Sequence, residues 1–382
     1  MTIPWWVLPQ SLALAVVHLY LWWRTVHGTT VRAGRTRRIG TLVLAVLWAS
    51  IPAALVAMHV WDPDVAAWIV WPGFLWYALM VQMTLVLLLV EPVRAVAALV
   101  RRRRARPVDA DRRRVLARGI TVAAGVAAGG ITGYGMATAF GAPDLERVTV
   151  RIRRLSPTAA GFRIAVLSDL HLGVMIGKSY AQRIVDIVNA ENPDLIAIVG
   201  DLVDGTVQHL GPDAAPLQGL RGRYGTYFVT GNHEYISGAD AWVRELGRLG
   251  IRTLRNERVA LPGFDLAGVT DVTGAEERDA PDFDRALGGR DPGRPVVLLA
   301  HQPVHVHEAA RRGVDLQLSG HTHGGQFIPI NIFTAMEQPT LAGLERYGDT
   351  QLFVTRGAGF WGPPVRVGSP PDIGIVELRP AQ

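Results

Sequence analysis

Hydrophobic and polar positions alternate in two different ways along this chain. In the first third, apolar residues run unbroken. Residues 5–23, 39–61 and 65–90 contain no Lys or Arg, and acids fall only at their edges. Each run is 19 residues or longer, enough to cross a hydrocarbon core ~30 Å thick as a helix. A fourth run, 119–142, is also uncharged but holds seven glycines. Trp and Tyr cluster near several ends, as interfacial anchors do. The pattern predicts a bundle of about four transmembrane helices over 5–23, 39–61, 65–90 and 119–142. From residue 163 onward, short apolar runs ("RIAVLSD", "DLIAIVGD", "GTYFVTGN", "RPVVLLAHQP", "VDLQLSGH", "QLFVTRG", "IGIVELR") alternate with amphipathic stretches such as "SYAQRIVDIVNAENP" and 240–249. Buried strands alternating with helices predict an α/β domain with its strands covered on both faces. The expected organisation is a membrane region over 1–142, a linker and first strand over 143–162, and the α/β domain over 163–382.

Charge sharpens this division. Residues 1–144 carry 15 Arg against 6 acids and residues 145–382 carry 24 basic against 27 acidic residues, so a net +9 and a net −3 make up the overall +6. The basicity sits in "RTVHGTTVRAGRTRR" and "VRRRRARPVDADRRR", in alternate loops between the apolar runs, while the intervening loop holds the acidic "DPD" at 62–64. That is the positive-inside distribution, so no nucleic-acid partner is expected despite a pI near 10.0. The first run lacks both the basic leader and the small-residue cleavage site of a signal peptide. It is expected to be a retained helix with the N-terminus outside. Four crossings then place everything after about Pro143 outside the cytoplasm. The absence of cysteine is compatible with that location. Gln10, His18, His59 and Gln82 are the notable polar groups of the spans and are expected at helix–helix contacts rather than on a transport path. Overlapping Gly-x-x-x-Gly spacings at Gly125, Gly129 and Gly133 offer a face for close packing or self-association.

Candidate chemistry appears only in the second half. The strands end in metal-ligand types: Asp169 and His171, Asp201 and Asp204, Asn232 and His233, His301, then His321 and His323. Ligand sites of α/β sheets gather at the carboxyl ends of strands. In extended backbone, residues i and i+2 point the same way, so Asp169 and His171 are expected to grip one ion together. The freedom of Gly320, Gly324 and Gly325 is expected to let the 321–323 loop turn sharply into the site. Mixed imidazole and carboxylate donors suit Mn, Fe or Zn better than Mg or Ca. Two such ions can bind a bridging hydroxide as nucleophile and clamp the phosphoryl oxygens during in-line attack. Any histidine of this group that is not a ligand, His233 among them, could protonate a leaving oxygen. His209, His305 and His307 are assigned to surface or rim positions.

The order "DLH" (169–171), "GDLVD" (200–204), "GNHE" (231–234), "AHQP" (300–303) and "GHTH" (320–323) resembles the calcineurin-like metallophosphoesterase family. The resemblance covers about 163–378, and "GHTHGGQ" with the late "GPPVRVGSPPDI" is similar to its bacterial membrane-associated branch. It implies a four-layered α/β/β/α sandwich and two divalent metal ions. One ion would take Asp169, His171, Asp201 and His323. The other would take Asp201, Asn232, His301 and His321, with Asp201 bridging. Asp204 is implied to hold the second ring nitrogen of His233. The function expected is that of a membrane-anchored phosphoesterase acting on a phosphodiester or pyrophosphate, including a lipid-linked one beside the bilayer. The alternatives are a catalytically weak scaffold on the same fold and a membrane sensor with a regulatory phosphatase head.

Overall fold

The computed structural model describes residues 7–32, 34–103 and 109–381; the start of the first apolar run, the middle of the second arginine-rich loop and the side chain of His59 lie outside the described residues. Two compact units form: Met1–Ala137 with Gly362–Val365, and Thr138–Trp361 with Arg366–Gln382.

The first unit is helical: α1 (Val7–Leu21), α2 (Arg35–Val60), α3 (Pro63–Arg103) and α4 (Ala110–Ala139). Among the described residues three segments are long and apolar enough to cross a membrane, namely Arg35–Met58, Pro63–Val100 and Ala110–Ala139, with mean hydropathies of 2.2, 2.1 and 1.5. The described part of α1 is 15 residues and continues as a π-helical turn, Trp22–His27. The 41 residues of α3 measure about 61 Å at ~1.5 Å per residue, twice the thickness of a hydrocarbon core. The glycines of α4 do not interrupt it.

Polar contacts fix how these helices run. Trp48 Nε1 donates to Ser11 O at 3.1 Å and Trp22 Nε1 to Thr41 Oγ1 at 2.8 Å, so α1 and α2 are antiparallel. Trp76 Nε1 donates to His18 Nε2 at 3.0 Å, the Tyr20 hydroxyl donates to Glu91 at 2.8 Å, and Arg24 Nε lies 2.8 Å from the same carboxylate. Contacts advancing together along both helices make α1 and α3 parallel, and place His18 at a helix–helix contact. The Arg24–Glu91 pair escapes a reading of uncharged runs because each residue stands just beyond one. α2 and α3 approach closely at Gly73, where a Cβ would lie 2.6 Å from Ser50 O and 2.7 Å from Ala54 Cβ. The glycine stripe of α4 behaves otherwise. At Gly125, Gly129 and Gly133 a Cβ would meet nothing within 4 Å, so the expected packing face touches no other helix among the described residues.

The second unit has strands β1 (Asp144–Ile152), β2 (Phe162–Leu167), β3 (Leu195–Val199), β4 (Thr226–Val229), β5 (Ile251–Thr253), β6 (Glu257–Leu261), β7 (Phe264–Gly268), β8 (Val296–Leu299), β9 (Leu316–Ser319), β10 (Gly343–Tyr347), β11 (Thr350–Val354) and β12 (Asp372–Pro380). Its helices are α5 (Lys178–Ala190), α6 (Val207–Ala214), α7 (Asn232–Ser237), α8 (Ala239–Arg248), α9 (Phe283–Leu287), α10 (Val306–Arg311) and α11 (Ile330–Glu337). Two six-stranded mixed sheets form, in the orders β1-β12-β2-β3-β4-β5 and β10-β11-β9-β8-β7-β6. The central strands β2, β3, β4 and β7, β8, β9 are parallel. Alternation along β2 shows why the layers stack. Ile164 and Val166 join Leu266, Val297, Leu299 and Leu318 in a core between the sheets, whereas Ala165 and Leu167 face Ile184, Val188 and Trp242 of the helices outside. Ala286 and Ala309 cover the outer face of the second sheet beside Val296 and Leu298. The result is a four-layered α/β/β/α sandwich.

Candidate metal centre

The strand ends deliver the site with a regular offset. Asp169, Asp201, His301 and His321 each stand two residues past the last residue of β2, β3, β8 and β9, and Asn232 stands three past β4. Parallel registers such as Leu167↔Ile198 and Leu299↔Leu318 bring those ends level. Three strands of one sheet and two of the other therefore aim donors at one place.

The local backbone departs from expectation. Asp169 and His171 are not extended: their φ values are 53° and 48°, and Asp201, His321 and His323 have φ of 51°, 70° and 51°. Non-glycine residues held in the left-handed region cost of order 1–3 kcal/mol each and cluster at functional sites. The chain bends sharply after β2, β3 and β9, and the bend after β2, not strand alternation, turns Asp169 and His171 to the same side. The glycines also differ in role. Gly324 and Gly325 supply positive φ, at 57° and 77°. Gly320 supplies room, because a Cβ there would stand 1.9 Å from Ser168 Oγ and 2.4 Å from Asp169 Oδ2.

The donors fall into two groups. His171 Nε2 lies 3.1 Å from His323 Nε2, 4.0 Å from Asp169 Oδ1 and 3.9 Å from Asp201 Oδ2, and His323 Nε2 lies 3.6 Å from Asp169 Oδ1. His301 Nε2 lies 3.1 Å from Asp201 Oδ2 and 3.2 Å from both Asn232 Oδ1 and His321 Nδ1. Donors bound at ~2.0–2.2 Å to a common ion stand about 3–3.6 Å apart; the second group, at 3.1–3.2 Å, has that spacing throughout, and the first, at 3.1–4.0 Å, is looser. Ring orientations agree. The second nitrogens of His171 and His301 are engaged by Asp204 Oδ1 at 2.9 Å and Val199 O at 2.7 Å, which turns each Nε2 inward. His171, Asp201 and His233 also approach one another, but His233 Nδ1 is engaged by Asp204 Oδ1 at 2.7 Å.

Electrostatics fit a cation. Asp169 and Asp201 are buried, and their ion-pair partners are histidines. Burial raises the Asp169 carboxyl above its ordinary range. Burial also acts on Asp201, but the charges of His301 and His233 outweigh it and hold that carboxyl well below the ordinary range. Burial lowers His321 to about 4 and, with Arg366, lowers His323. His301 is raised instead, because Asp201 outweighs its burial. Protons thus stand where cations would neutralise the carboxylates, and unprotonated imidazoles complete the shell.

Two further side chains support this cluster. Glu234 is fully buried, and its carboxylate accepts the backbone N–H groups of Gly231, Asp201 and Leu202 at 2.6, 3.0 and 2.8 Å. Arg366, also fully buried, donates to His323 Nδ1 at 2.9 Å, to His323 O at 3.1 Å and to Gly359 O at 2.9 Å. Glu234 had a sequence signal, as the third residue of a helix opening at Gly231; Arg366 lies in the "GPPVRVGSPPDI" stretch that carried part of the family resemblance, but nothing in that stretch gave it a role. His209 and His307 are exposed, as expected. His305 is not at the rim: it is buried, with its ring 5.7 Å from that of Phe283, because the turn Pro303–His305 folds it inward.

Comparison with known proteins agrees with this geometry. The calcineurin-like phosphoesterase profile matches residues 162–325. An uncharacterized metallophosphoesterase of Helicobacter pylori is 37% identical over 241 residues, covering 62% of this chain and 64% of that protein. A "transmembrane protein with metallophosphoesterase domain" of Danio rerio is 37% identical over 262 residues, covering 65% of this chain and 60% of that protein. The chain thus spans less than two thirds of the length of these relatives. An uncharacterized metallophosphoesterase of Aquifex aeolicus is 33% identical over 240 residues, covering 62% of this chain but 91% of that protein. With the four-layered sandwich and the donor clusters at its strand ends, these matches establish that the chain belongs to the calcineurin-like phosphoesterase family.

Proposed function

We propose that the protein is a membrane-anchored, dinuclear-metal phosphoesterase whose substrate is a phosphodiester or pyrophosphate presented at the bilayer. The observation that carries this reading is the convergence of two donor groups on Asp201, with a hydrogen-bonded Asp204–His233 pair beside them. Asp169, His171, Asp201 and His323 would hold one ion, and Asp201, Asn232, His301 and His321 the other. The donor chemistry favours Mn, Fe or Zn. When bound, the ions acidify a water to supply the nucleophile and neutralise charge on the phosphoryl group.

The chain's own residues do the rest. His233 gives a proton to the leaving oxygen. Burial lowers its pKa, but Asp201 and Asp204 outweigh that and raise it to about 9. Asp204 accepts its Nδ1–H and holds the ring in place. Burial raises the Asp204 carboxyl, but His171 and His233 outweigh that and hold it below the ordinary range, so it stays an acceptor. The indole of Trp361, edge-on with centroids 5.6 Å apart, packs against the His233 ring.

Residues 1–142 would form the membrane region, 143–162 a linker and first strand, and 163–382 the catalytic domain. The arginine-rich loops before α2 and after α3 support an extracytoplasmic catalytic domain, and this inference does not depend on whether α1 crosses. The parallel course of α1 and α3 supports a crossing by α1 in the same direction as α3. The test uses purified full chain with Mn, a diester chromogen, a monoester chromogen and an extracted lipid fraction. Turnover of the diester, or release of a phosphorylated product from the lipids, is expected. Inertness towards all three with both ions bound would leave the scaffold reading.

A further inference from the structure

Helix α11 follows the metal loop by four residues and breaks the usual rule for a helix on a folded domain: none of its eight residues is buried. Ile332, Phe333 and Met336 are 56%, 59% and 79% exposed, and Ile328 just before the helix is 54% exposed. Among the described residues from 138 to 381, the other exposed large apolar side chains are Ile236, Val272 and Leu344, at 51%, 40% and 37%. Apolar exposure in this unit is therefore concentrated at one element. Scattered exposed apolar residues are ordinary, but a contiguous patch marks an interaction surface.

The opposite side of the helix is seated on the metal loop. A Cβ at Gly325 would stand 2.2 Å from Asn331 Cα, so the helix packs directly on the turn His323–Gly325. Just past its C-terminus, Gln338 accepts from Val304 N at 3.1 Å and donates to Gln302 Oε1 at 3.2 Å. α11 is thus fixed to the loop carrying two of the proposed ligands and presents Ile332, Phe333 and Met336 outward.

We propose that α11 is an interfacial helix, lying in the headgroup boundary of a lipid bilayer and seating the loop that carries His321 and His323 beside the membrane surface. The proposal rests on the reading of the chain as membrane-anchored. The occupant argued for is lipid because the same chain carries three segments able to cross a bilayer. Moreover, only residues 140–143 separate the end of α4 from the start of β1, so a membrane crossed by α4 is always within reach of this unit. Interfacial helices bury an apolar face at the acyl boundary and leave a polar or protein-facing side above it. Ile332, Phe333 and Met336 against Asn331 and Thr334 provide that division.

The chain has no native cysteine, which permits a direct test. Full-length Phe333→Cys, Met336→Cys and, as a control on an exposed turn of the same unit, Gln218→Cys are each labelled with an environment-sensitive fluorophore. They are then reconstituted into vesicles of phosphatidylcholine and phosphatidylglycerol. Quenching is measured with spin-labelled lipid and with iodide present on both faces. The labels at 333 and 336 should shift to the blue, lose most of their emission to the lipid quencher and resist iodide, and the label at 218 should do the reverse. Iodide quenching at 333 and 336 equal to that at 218 would overturn the proposal. So would protection from both quenchers, which would mean that protein covers the helix. The readout requires no turnover, so an inactive chain with lipid-quenched labels would fail the phosphoesterase reading and leave this one standing.

Discussion

Asp201 stands at the join of the two donor groups, 3.9 Å from His171 Nε2 and 3.1 Å from His301 Nε2. Asp201→Asn keeps its shape and removes its charge, so occupancy of both ions should fall, whereas His171→Ala should empty mainly one. Two full equivalents of metal in the Asp201 variant would contradict the shared position. His233→Ala should instead retain metal and lose ~10²–10⁴ in rate, roughly 3–5 kcal/mol of barrier at ~1.36 kcal/mol per decade. The loss should shrink for a nitrophenolate leaving group, which needs no proton. An equal loss on good and poor leaving groups would remove His233 from the acid role. The candidate ligands could be read from the sequence because each follows a recognisable strand. The left-handed conformation of Asp169, His171 and Asp201 could not, since it is imposed by neighbours from other strands. Arg366 was hidden for a different reason: most of what it bonds is backbone carbonyl, such as Gly359 O and His323 O, which no sequence pattern announces.

At the level of elements, the central strands except β7 were legible because they are continuous apolar runs; β7 is only five residues, with Asp265 and Gly268 among them. β5, β6 and β10 were not legible either. They are short or half polar and lie at or near sheet edges, where one side needs no apolar cover. β12 has a property that only the fold confers. Its first residue, Asp372, accepts from Arg356 N at 2.9 Å and Arg356 Nη1 at 3.0 Å, yet burial outweighs both and raises its pKa from 3.8 to about 6. The folded chain therefore holds a proton there that the unfolded chain has released. This group adds stability as pH falls from about 6 towards 4 and withdraws it as pH rises through 6. Asp372→Asn should abolish that part of the profile. The difference in unfolding midpoint between the two proteins should change across pH 4–6.5 and level off above about pH 7. A constant difference would mean that Asp372 is not desolvated by the fold.

The division of the whole chain was visible in its composition, since unbroken apolar runs and arginine clusters give way abruptly to a balanced α/β sequence. Which side of the membrane the second unit occupies is a matter of charge distribution, and it can be measured. Single cysteines at Gln218 and Thr36, both exposed, are treated in intact cells with a membrane-impermeant thiol reagent. The Gln218 site should react, and the Thr36 site should react only after the cells are broken. The reverse would place the second unit in the cytoplasm. The sandwich has a mechanical side as well. Its proposed ligands come from β2, β3 and β4 on one sheet and from β8 and β9 on the other, so a loaded centre would rivet the two sheets together at their upper edges. In that architecture the sheets could not part without emptying the centre. Wear on the chemistry and wear on the scaffold would be the same event.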